Sequence, residues 1–120
     1  MADDHREAAD YLPLSDLTFH VLLALGGGAA HGYAIGKEVE RRSAGRLSPA
    51  TGSLYQSLRR LHRDSLIEEV PPPRRIVVTD ARRQYFRLTG FGRRVFALEV
   101  RRLEGLLSAA RQMKLAPGSL

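Results

Sequence analysis

The residues best suited to chemistry in this chain lie between Ser48 and Arg63, in the segment SPATGSLYQSLRRLHR. Leucines recur at helical spacing, at Leu54, Leu58 and Leu61, so one side of the segment is predicted to be buried. The other side carries hydroxyl, amide and guanidinium groups, and no acidic residue interrupts them. These groups hydrogen-bond phosphates and base edges, so a short basic helix of this kind suits the major groove of DNA.

The first turn of this helix is expected to come closest to the DNA. Ser48 is predicted to cap the helix and to join the contact surface, with Pro49 at the first helical position. The candidates for base edges and nearby phosphates are Thr51, Ser53 and Gln56. Three arginines further along sweep most of a helical turn and cannot all face DNA, so we assign the backbone to Arg59 and Arg60 and leave Arg63 solvated.

Charge and composition indicate the class of partner. The 120 residues carry a net charge of +6, with a pI near 10.5, and lysine occurs only at Lys37 and Lys114. Arginine favours forked contacts to phosphate and guanine, so the charge indicates an anionic partner, most often nucleic acid. Together with the basic helix, this makes double-stranded DNA the expected partner. The alternative is a basic surface without a partner.

Several other functions are excluded by what the sequence lacks. Without cysteine, the chain has no disulfide, thiolate zinc site or cysteine nucleophile. The segment GYAIGKE fails the phosphate-loop pattern, and no nucleophile, base and acid set is suggested. We therefore expect no enzyme, no cofactor and no metal, the last because ligand spacing is missing among His5, His20, His31 and His62.

The chain is expected to be a soluble cytoplasmic protein with no membrane partner. Its acidic, polar start MADDHREAADYL does not resemble a signal peptide. The longest apolar run, Val21 to Leu25, is far too short to cross a bilayer.

The elements that must position the basic helix follow from periodicity and breakers. Helices are predicted over residues 15–25 and 31–43, with Ser15 as a cap and three glycines ending the first. Strands are predicted over 66–70 and 84–88, with Phe86 and Leu88 facing inward and Tyr85 and Arg87 outward. Thr89 caps a long final helix over about 90–114.

This order predicts a mainly α fold with a small β-hairpin: a winged helix-turn-helix followed by a long C-terminal dimerisation helix. We divide the chain into an acidic N-terminal arm (1–12), the DNA-binding domain (13–89) and the dimerisation helix (90–115). The wing, residues 71–83, carries four arginines that we expect at the flanking minor groove or its phosphates, the alternative being a solvated hairpin tip: Arg74, Arg75, Arg82 and Arg83.

The final helix carries an apolar stripe close to a heptad seam. One helix cannot bury so much apolar surface against a small three-helix core, so pairing with a second copy is expected. The alternative is packing on the first helix of the same chain. The residues assigned to the dimer interface are Phe96, Val100, Leu103, Leu106, Leu107, Ala110 and Met113.

Three segments together resemble the PadR family of bacterial transcriptional regulators. LGGGAAHGYAI (25–35) is similar to the family's Leu-x-HGY-x-Ile entry into helix two, and GSLYQSLRRLHRDSLI (52–67) to its Gly-[Ser/Thr]-Leu-Tyr helix and Gly-Leu-Ile turn. Residues 82–92 resemble its Tyr-x-Leu-Thr-x-x-Gly segment. Ser65 departs from the pattern, because the family usually has glycine there, and predicts a strained exit turn. The single C-terminal helix resembles the short-tailed subgroup.

The resemblance implies a homodimeric repressor that binds inverted repeats in promoters, in some members released by a small aromatic ligand. It also implies phosphate contacts for Tyr33 and Tyr55, each with packing as the alternative. A competing function is a winged-helix module for protein–protein interaction without sequence-specific DNA binding. Such a module would be expected to have an apolar or acidic third helix, whereas this one is basic and polar.

Overall fold

The computed structural model describes residues 7–73 and 83–118. The four α-helices and two of the three strands follow the predicted order, which confirms the mainly α fold with its small antiparallel sheet and long final helix. Single 3₁₀ turns cover Ala8–Tyr11 and Leu25–Gly27. The helices are α1 (Asp16–Ala24), α2 (Gly32–Arg42), α3 (Thr51–Arg63) and α4 (Gly90–Gln112), and the strands are β1 (Ala30–His31), β2 (Ile67–Val70) and β3 (Tyr85–Leu88).

Two of the three predicted helix caps are confirmed. The Ser15 hydroxyl accepts from the Thr18 amide at 3.1 Å, and the Thr89 hydroxyl accepts from the Gly92 amide at 2.9 Å. Each bond satisfies a backbone donor that the first helical turn leaves unpaired.

The third cap, at the start of α3, is wrong. α3 begins at Thr51, its cap position is Ala50, and no side chain bonds to its first turn. The reason is that the backbone is still extended at Ala50, with ψ 150°, and Pro49 suits an extended chain as well as a helix start. Ser48 is therefore outside the helix, where its Oγ lies 3.4 Å from Glu40 Oε2.

The strand β3 has two neighbours, and this corrects one predicted orientation. The strand order is β1-β3-β2, and the sequence analysis did not include the two-residue strand β1. His31 of β1 pairs with Tyr85, and its ring meets the Tyr85 ring edge-on at 5.2 Å between centroids. Tyr85 is consequently only 3% exposed instead of facing out, whereas Arg87 lies beyond β1, is exposed as predicted, and binds Glu68 at 2.7 Å.

The core forms where the predicted apolar faces of the helices meet the sheet. Leu54, Leu58 and Leu61 bury one side of α3, as their spacing predicts. Helix α1 and the turn after it, helix α2, and helix α4 pack around them through Val21, Leu22, Leu25, Ile35, Val39 and Val95.

The exit from α3 is joined to the start of α4. Ser65 has φ 65°, a left-handed conformation that disfavours residues with a Cβ, so the strain predicted at this non-glycine position is confirmed. The Thr89 hydroxyl donates to the Ser65 carbonyl at 2.5 Å. Gly92 lies so close to the Leu66 carbonyl that a side chain at this position would clash with backbone. The glycine in the Leu-Thr-x-x-Gly pattern thus permits this contact.

The N-terminal residues of the described chain pack on α4. The Tyr11 ring meets the Phe91 ring edge-on at 5.7 Å, and the Leu14 amide donates to Glu99 Oε2 at 3.0 Å. Glu99 is only 2% exposed, and Arg102 Nε donates to its Oε1 at 2.6 Å. The Arg102 guanidinium, helped by the Leu14 amide, holds the pKa of the Glu99 carboxyl below its usual value, although burial acts in the opposite direction.

Within the described ranges, no helix combines the length and apolarity needed to span a membrane.

Replacing the buried carboxylate should change how stability depends on pH. Since the pKa of Glu99 is lower in the folded state, its contribution is complete above the unfolded pKa of about 4.3 and is lost as pH falls through the folded pKa. Glu99→Gln should cost about 1–3 kcal/mol near neutral pH, because the charged bonds to Arg102 and Leu14 weaken. The variant should lose less stability than the wild type on acidification through that window, measured by urea unfolding.

The exposed Glu104→Gln on the same helix is the matched control and should follow the wild type. Identical acid profiles for Glu99→Gln and the wild type would contradict the assigned role of the carboxylate.

Candidate nucleic-acid interface

The exposed side of α3 presents the residues that the sequence nominated for base and backbone contacts. We call this surface the reading face. Its members are all solvent-exposed and lie away from the buried leucines: Thr51, Ser53, Gln56, Arg59 and Arg60. Arg63 is also exposed, and its Nε lies 3.5 Å from Asp64 Oδ1. The predicted separation of an apolar and a polar side of α3 therefore exists in the folded chain.

A cleft of about 250 Å³ separates the start of α3 from α2. Helix α2 contributes Tyr33, Lys37 and Glu40 to its walls, and the α3 side contributes Ser48 and Thr51 among others. Tyr33 is 64% exposed, so its alternative assignment as a core residue is wrong. Lys37 Nζ lies 5.6 Å from the centre of the Tyr33 ring, a contact that the i, i+4 spacing allows but that the sequence analysis did not consider.

Tyr55 connects α3 to the start of α2. Its half-buried ring lies directly against Gly32, where a Cβ would overlap the phenol group. Gly36, one turn further along α2, is likewise close to a Leu54 methyl group, at 3.1 Å from an ideal Cβ. The two glycines let the two helices approach closely, and the glycine of the HGY motif has a direct steric reason.

Three side chains meet beside this cleft: His31, Tyr33 and Arg83. The sequence analysis nominated Tyr33 and Arg83 for DNA contacts on different elements and did not nominate His31. Arg83 Nη1 lies 3.2 Å from His31 Nε2, and the His31 ring lies nearly parallel to Tyr33, with an interplanar angle of 15° and 6.4 Å between centroids. His31 Nδ1 accepts from the Ala34 amide at 3.4 Å and so caps α2. Burial, and next the charge of Arg83, lower the pKa of His31. We call these three residues the His31 cluster.

The sequence analysis did not nominate His31. The signal that could have found it is its place immediately before a helical glycine, a position where a side-chain acceptor caps the first turn. Its nearness to Arg83 is a tertiary contact across 52 residues.

Several arginines of the described chain form ion pairs, but those of the reading face and its flank do not. Arg41 and Arg42 bind Glu38, Arg46 binds Asp16, and Arg102 binds Glu99. By contrast, no carboxylate of the described residues forms an ion pair with Arg59, Arg60 or Arg83. Positive charge on the reading face and its flank is therefore not neutralised by a described neighbour.

The wing is described only in part. Arg83 is exposed at its end, while three of its four nominated arginines lie outside the described residues: Arg74, Arg75 and Arg82. Their contacts stay predictions.

Within the described ranges, no cluster of histidine, aspartate and glutamate has the arrangement needed to hold a metal ion.

The apolar stripe of α4 divides into a covered and an exposed part. Phe96 is half-buried and stacks on Phe19 of α1, with 4.7 Å between ring centroids, so this member packs within its own chain. Val100 and Ala110 are half-buried. The remaining nominated residues are exposed large hydrophobic side chains, between 40% and 71%: Leu103, Leu106, Leu107 and Met113.

The family comparison extends over most of this architecture. The profile of the transcriptional regulator PadR-like family matches residues 21–98, from α1 into α4. No curated protein matches the chain.

Solved structures with the same fold include regulators from bacteria and from H. salinarum. A PadR family regulator from Clostridium difficile has a TM-score of 0.66 at 19% identity, over 82% of this chain and 98% of that one. RosR from H. salinarum has a TM-score of 0.61 at 29% identity, over 83% and 80%. Bacillus subtilis PadR in complex with operator DNA has a TM-score of 0.58 at 20% identity, over 69% and 45%.

Adding a methyl group at the close approach of α2 and α3 should destabilise the fold. In Gly32→Ala the new Cβ overlaps the Tyr55 ring, so the ring or the helix must move, at a cost of about 1–3 kcal/mol. Gly52→Ala is the matched control, because Gly52 also lies in a first helical turn but has nothing near its Cβ position. It should be neutral or gain at most about 1 kcal/mol. Chemical denaturation of both variants tests the contact, which is refuted if Gly32→Ala is as stable as Gly52→Ala.

Proposed function

Since the chain belongs to the PadR-like family of transcriptional regulators, we propose that it is a homodimeric repressor that binds an inverted repeat in promoter DNA. DNA-binding regulation is the function of the family, which is not a family of enzymes. Repression, dimerisation and the residue roles given below belong to the proposal, as does a cytoplasmic location.

The observation that supports it best is the unpaired cationic surface on and beside α3. Arg59, Arg60 and Arg83 lack a described acidic partner. The same holds for arginines of α4 such as Arg93 and Arg101, but only the first three lie on α3 or at the end of the wing. An exposed guanidinium without a carboxylate binds phosphate without first breaking an ion pair. The polar side chains between these arginines are of the types that reach base edges.

The position of each nominated residue on or beside α3 determines its proposed role in DNA binding. Gln56 and Ser53 lie on the outward side of α3, so they read base edges in the major groove, with Arg60 on the backbone beside them. Arg59 lies towards Gln84 and Phe86, at the β3 side, and contacts the backbone on the wing flank. Thr51 and Ser48 lie at the α2 side and contact nearby phosphates.

The two tyrosines contact the DNA backbone in different ways. Tyr33 is largely exposed, and its hydroxyl reaches a phosphate directly. Tyr55 is half-buried against Gly32, so its ring mainly fixes α3 while its hydroxyl serves the phosphate at the edge. The wing arginines, of which Arg83 is described, bind the flanking minor groove or its phosphates.

Dimerisation places two reading faces on one side of the DNA. The exposed leucines of α4 are a row of apolar side chains that a second copy of the helix would cover. With a twofold axis between the two α4 helices, the two α3 helices enter major grooves about 34 Å apart, one turn of the duplex. An inverted repeat is the sequence that this symmetry requires.

A small aromatic ligand remains a prediction. The described cleft beside Phe96, lined also by Leu22, Leu88 and Arg93, has a volume of about 200 Å³. Drug-sized ligands usually occupy about 300–1,000 Å³, so this cleft in one protomer suits only a small ring compound. The alternative of a protein-interaction module is disfavoured by the polar and basic character of the exposed side of α3.

Selection of bound sequences from random duplex DNA tests the proposed function. We expect a palindrome with half-sites about one helical turn apart. Affinity for the selected duplex should fall steeply with salt, with a slope of log K against log salt of about −5 if the dimer neutralises ~6 phosphates. Arg60→Gln should make this slope less steep by about 2, since each dimer loses two contacts.

Arg101→Gln, an exposed arginine on α4, is the matched control and should leave the slope unchanged. A salt-independent affinity, or selected sequences without twofold symmetry, would contradict the proposal.

The proposed dimer has its own test. Leu107→Glu places a charge in the exposed apolar row and should weaken dimerisation at least about tenfold, because each buried leucine contributes about 1.5–3 kcal/mol. Ser108→Glu adds the same charge one residue along, on the far side of the helix, and should leave the association unchanged. Sedimentation of all three proteins at micromolar concentration measures the effect, and a monomeric wild type would refute pairing through α4.

A further inference from the structure

Each nitrogen of the His31 ring faces one hydrogen-bond donor, a backbone amide at Nδ1 and a side-chain guanidinium at Nε2. The Ala34 amide points at Nδ1 at 3.4 Å, and Arg83 Nη1 lies 3.2 Å from Nε2. A neutral imidazole has one acceptor and one N–H, and a guanidinium has donors only. When Nδ1 accepts from Ala34, the proton is on Nε2, and two N–H groups face each other across the gap to Arg83.

The other protonation states do not remove this conflict. The opposite tautomer accepts from Arg83 but turns an N–H towards the Ala34 amide. The doubly protonated ring has no acceptor for either donor and places its charge beside that of Arg83. This agrees with the lowered pKa of His31 in the free protein. An anionic oxygen between Nε2 and Arg83 would accept from both groups at once.

The groups around the ring favour an anion from several sides. Tyr33 lies beside it on α2, with Lys37 Nζ 5.6 Å from the Tyr33 ring. Tyr85 faces it from β3, and Tyr55 of α3 lies against the adjacent Gly32. Glu69, on strand β2, lies 3.5 Å from the Gln84 amide, and no described carboxylate forms an ion pair with Arg83. The described surroundings thus supply phenol and cationic groups without a competing acid.

We propose that His31 and Arg83 together bind one phosphate of the DNA backbone, with Tyr33 beside them, and that this contact strengthens as the pH falls. The inference rests on the proposed function, because the phosphate is that of the bound duplex. It joins α2 and the wing, which flank α3, at a single phosphate. It also gives His31 a role in binding beyond its cap on α2.

The direction of the pH effect follows from linkage. A phosphate beside Nε2 favours the charged imidazole and offsets the charge of Arg83, so the pKa of His31 is higher in the complex than in the free protein. Binding is therefore tightest below the free pKa, and the gain is lost as pH rises through the bound pKa. A rise of about one half to one pKa unit corresponds to a three- to tenfold gain in affinity per protomer.

The direct test is the pKa of His31 with and without DNA. Imidazole resonances are followed by NMR between about pH 5 and pH 8, at constant ionic strength, on the full chain alone and bound to the selected palindromic duplex. The proposal expects the His31 pKa to rise in the complex. An unchanged or lowered pKa of His31 in the complex overturns the proposal.

Two variants separate the phosphate contact from the capping role. His31→Asn keeps a good N-cap acceptor for Ala34 but has no group at the Nε2 position, so helix α2 stays capped while the pH dependence of duplex affinity is lost. His20→Gln, on α1 and outside both the reading face and the His31 cluster, is the matched control and should keep that dependence. Arg83→Gln should raise the His31 pKa of the free protein, because a like charge is removed, and should still weaken duplex binding.

The outcomes distinguish the two levels of the argument. If the wild type binds the duplex and His31→Asn retains the full pH dependence of affinity, the proposed phosphate site is wrong, whereas the proposed DNA-binding function is unaffected. If the wild type binds no duplex at low ionic strength at any pH, the proposed function fails and the site fails with it.

Discussion

The burial of one side of α3 is the constraint on which the rest of the structure depends. Leu54, Leu58 and Leu61 place this side in the core, so the opposite side must face outward whatever binds there. The helix cannot rotate about its axis without exposing the leucines, at about 1.5–3 kcal/mol each. Tyr55 against Gly32 fixes its position along α2 as well. Reading a rigid duplex, the proposed role of this surface, needs such fixed side-chain positions, and hydrophobic packing supplies them.

Ion pairing distinguishes Arg59, Arg60 and Arg83 from many other arginines of the described chain. Many of the arginines in the described chain are held by glutamate or aspartate, including a buried pair on α4 between Arg102 and Glu99. Arg59 and Arg60 on α3 and Arg83 at the end of the wing are not held in this way by described residues, and neither are several arginines of α4. Sequence alone shows a basic chain, whereas the fold shows which of its charges remain available. The His31 cluster continues this distinction, because its donors face one another with no described acceptor between them.

Local signals in the sequence predicted most of the fold, and long-range contacts account for what they missed. The leucine spacing and the caps Ser15 and Thr89 depend on residues within a few positions, so they were correct. The cap at Ser48 failed because Pro49 fits both an extended chain and a helix start. The strand β1 has two residues and exists only through its pairing with β3, which no local pattern indicates. The buried position of Tyr85 and the meeting of His31 with Arg83 follow from that same pairing, so these errors share one cause.

The joint between α3 and α4 has a mechanical consequence. The Thr89 hydroxyl donates to the backbone carbonyl just after α3 and also accepts from the first turn of α4. Gly92 lets that first turn lie against the Leu66 carbonyl. These contacts connect the end of α3 directly to the first turn of α4. In an assembly in which α4 of one copy lies on α4 of another, a small change in the tilt between the two α4 helices becomes a change in the spacing of the two α3 helices. Since the spacing of DNA grooves is fixed, the angle between the two α4 helices of the proposed dimer would determine whether both protomers engage the duplex together.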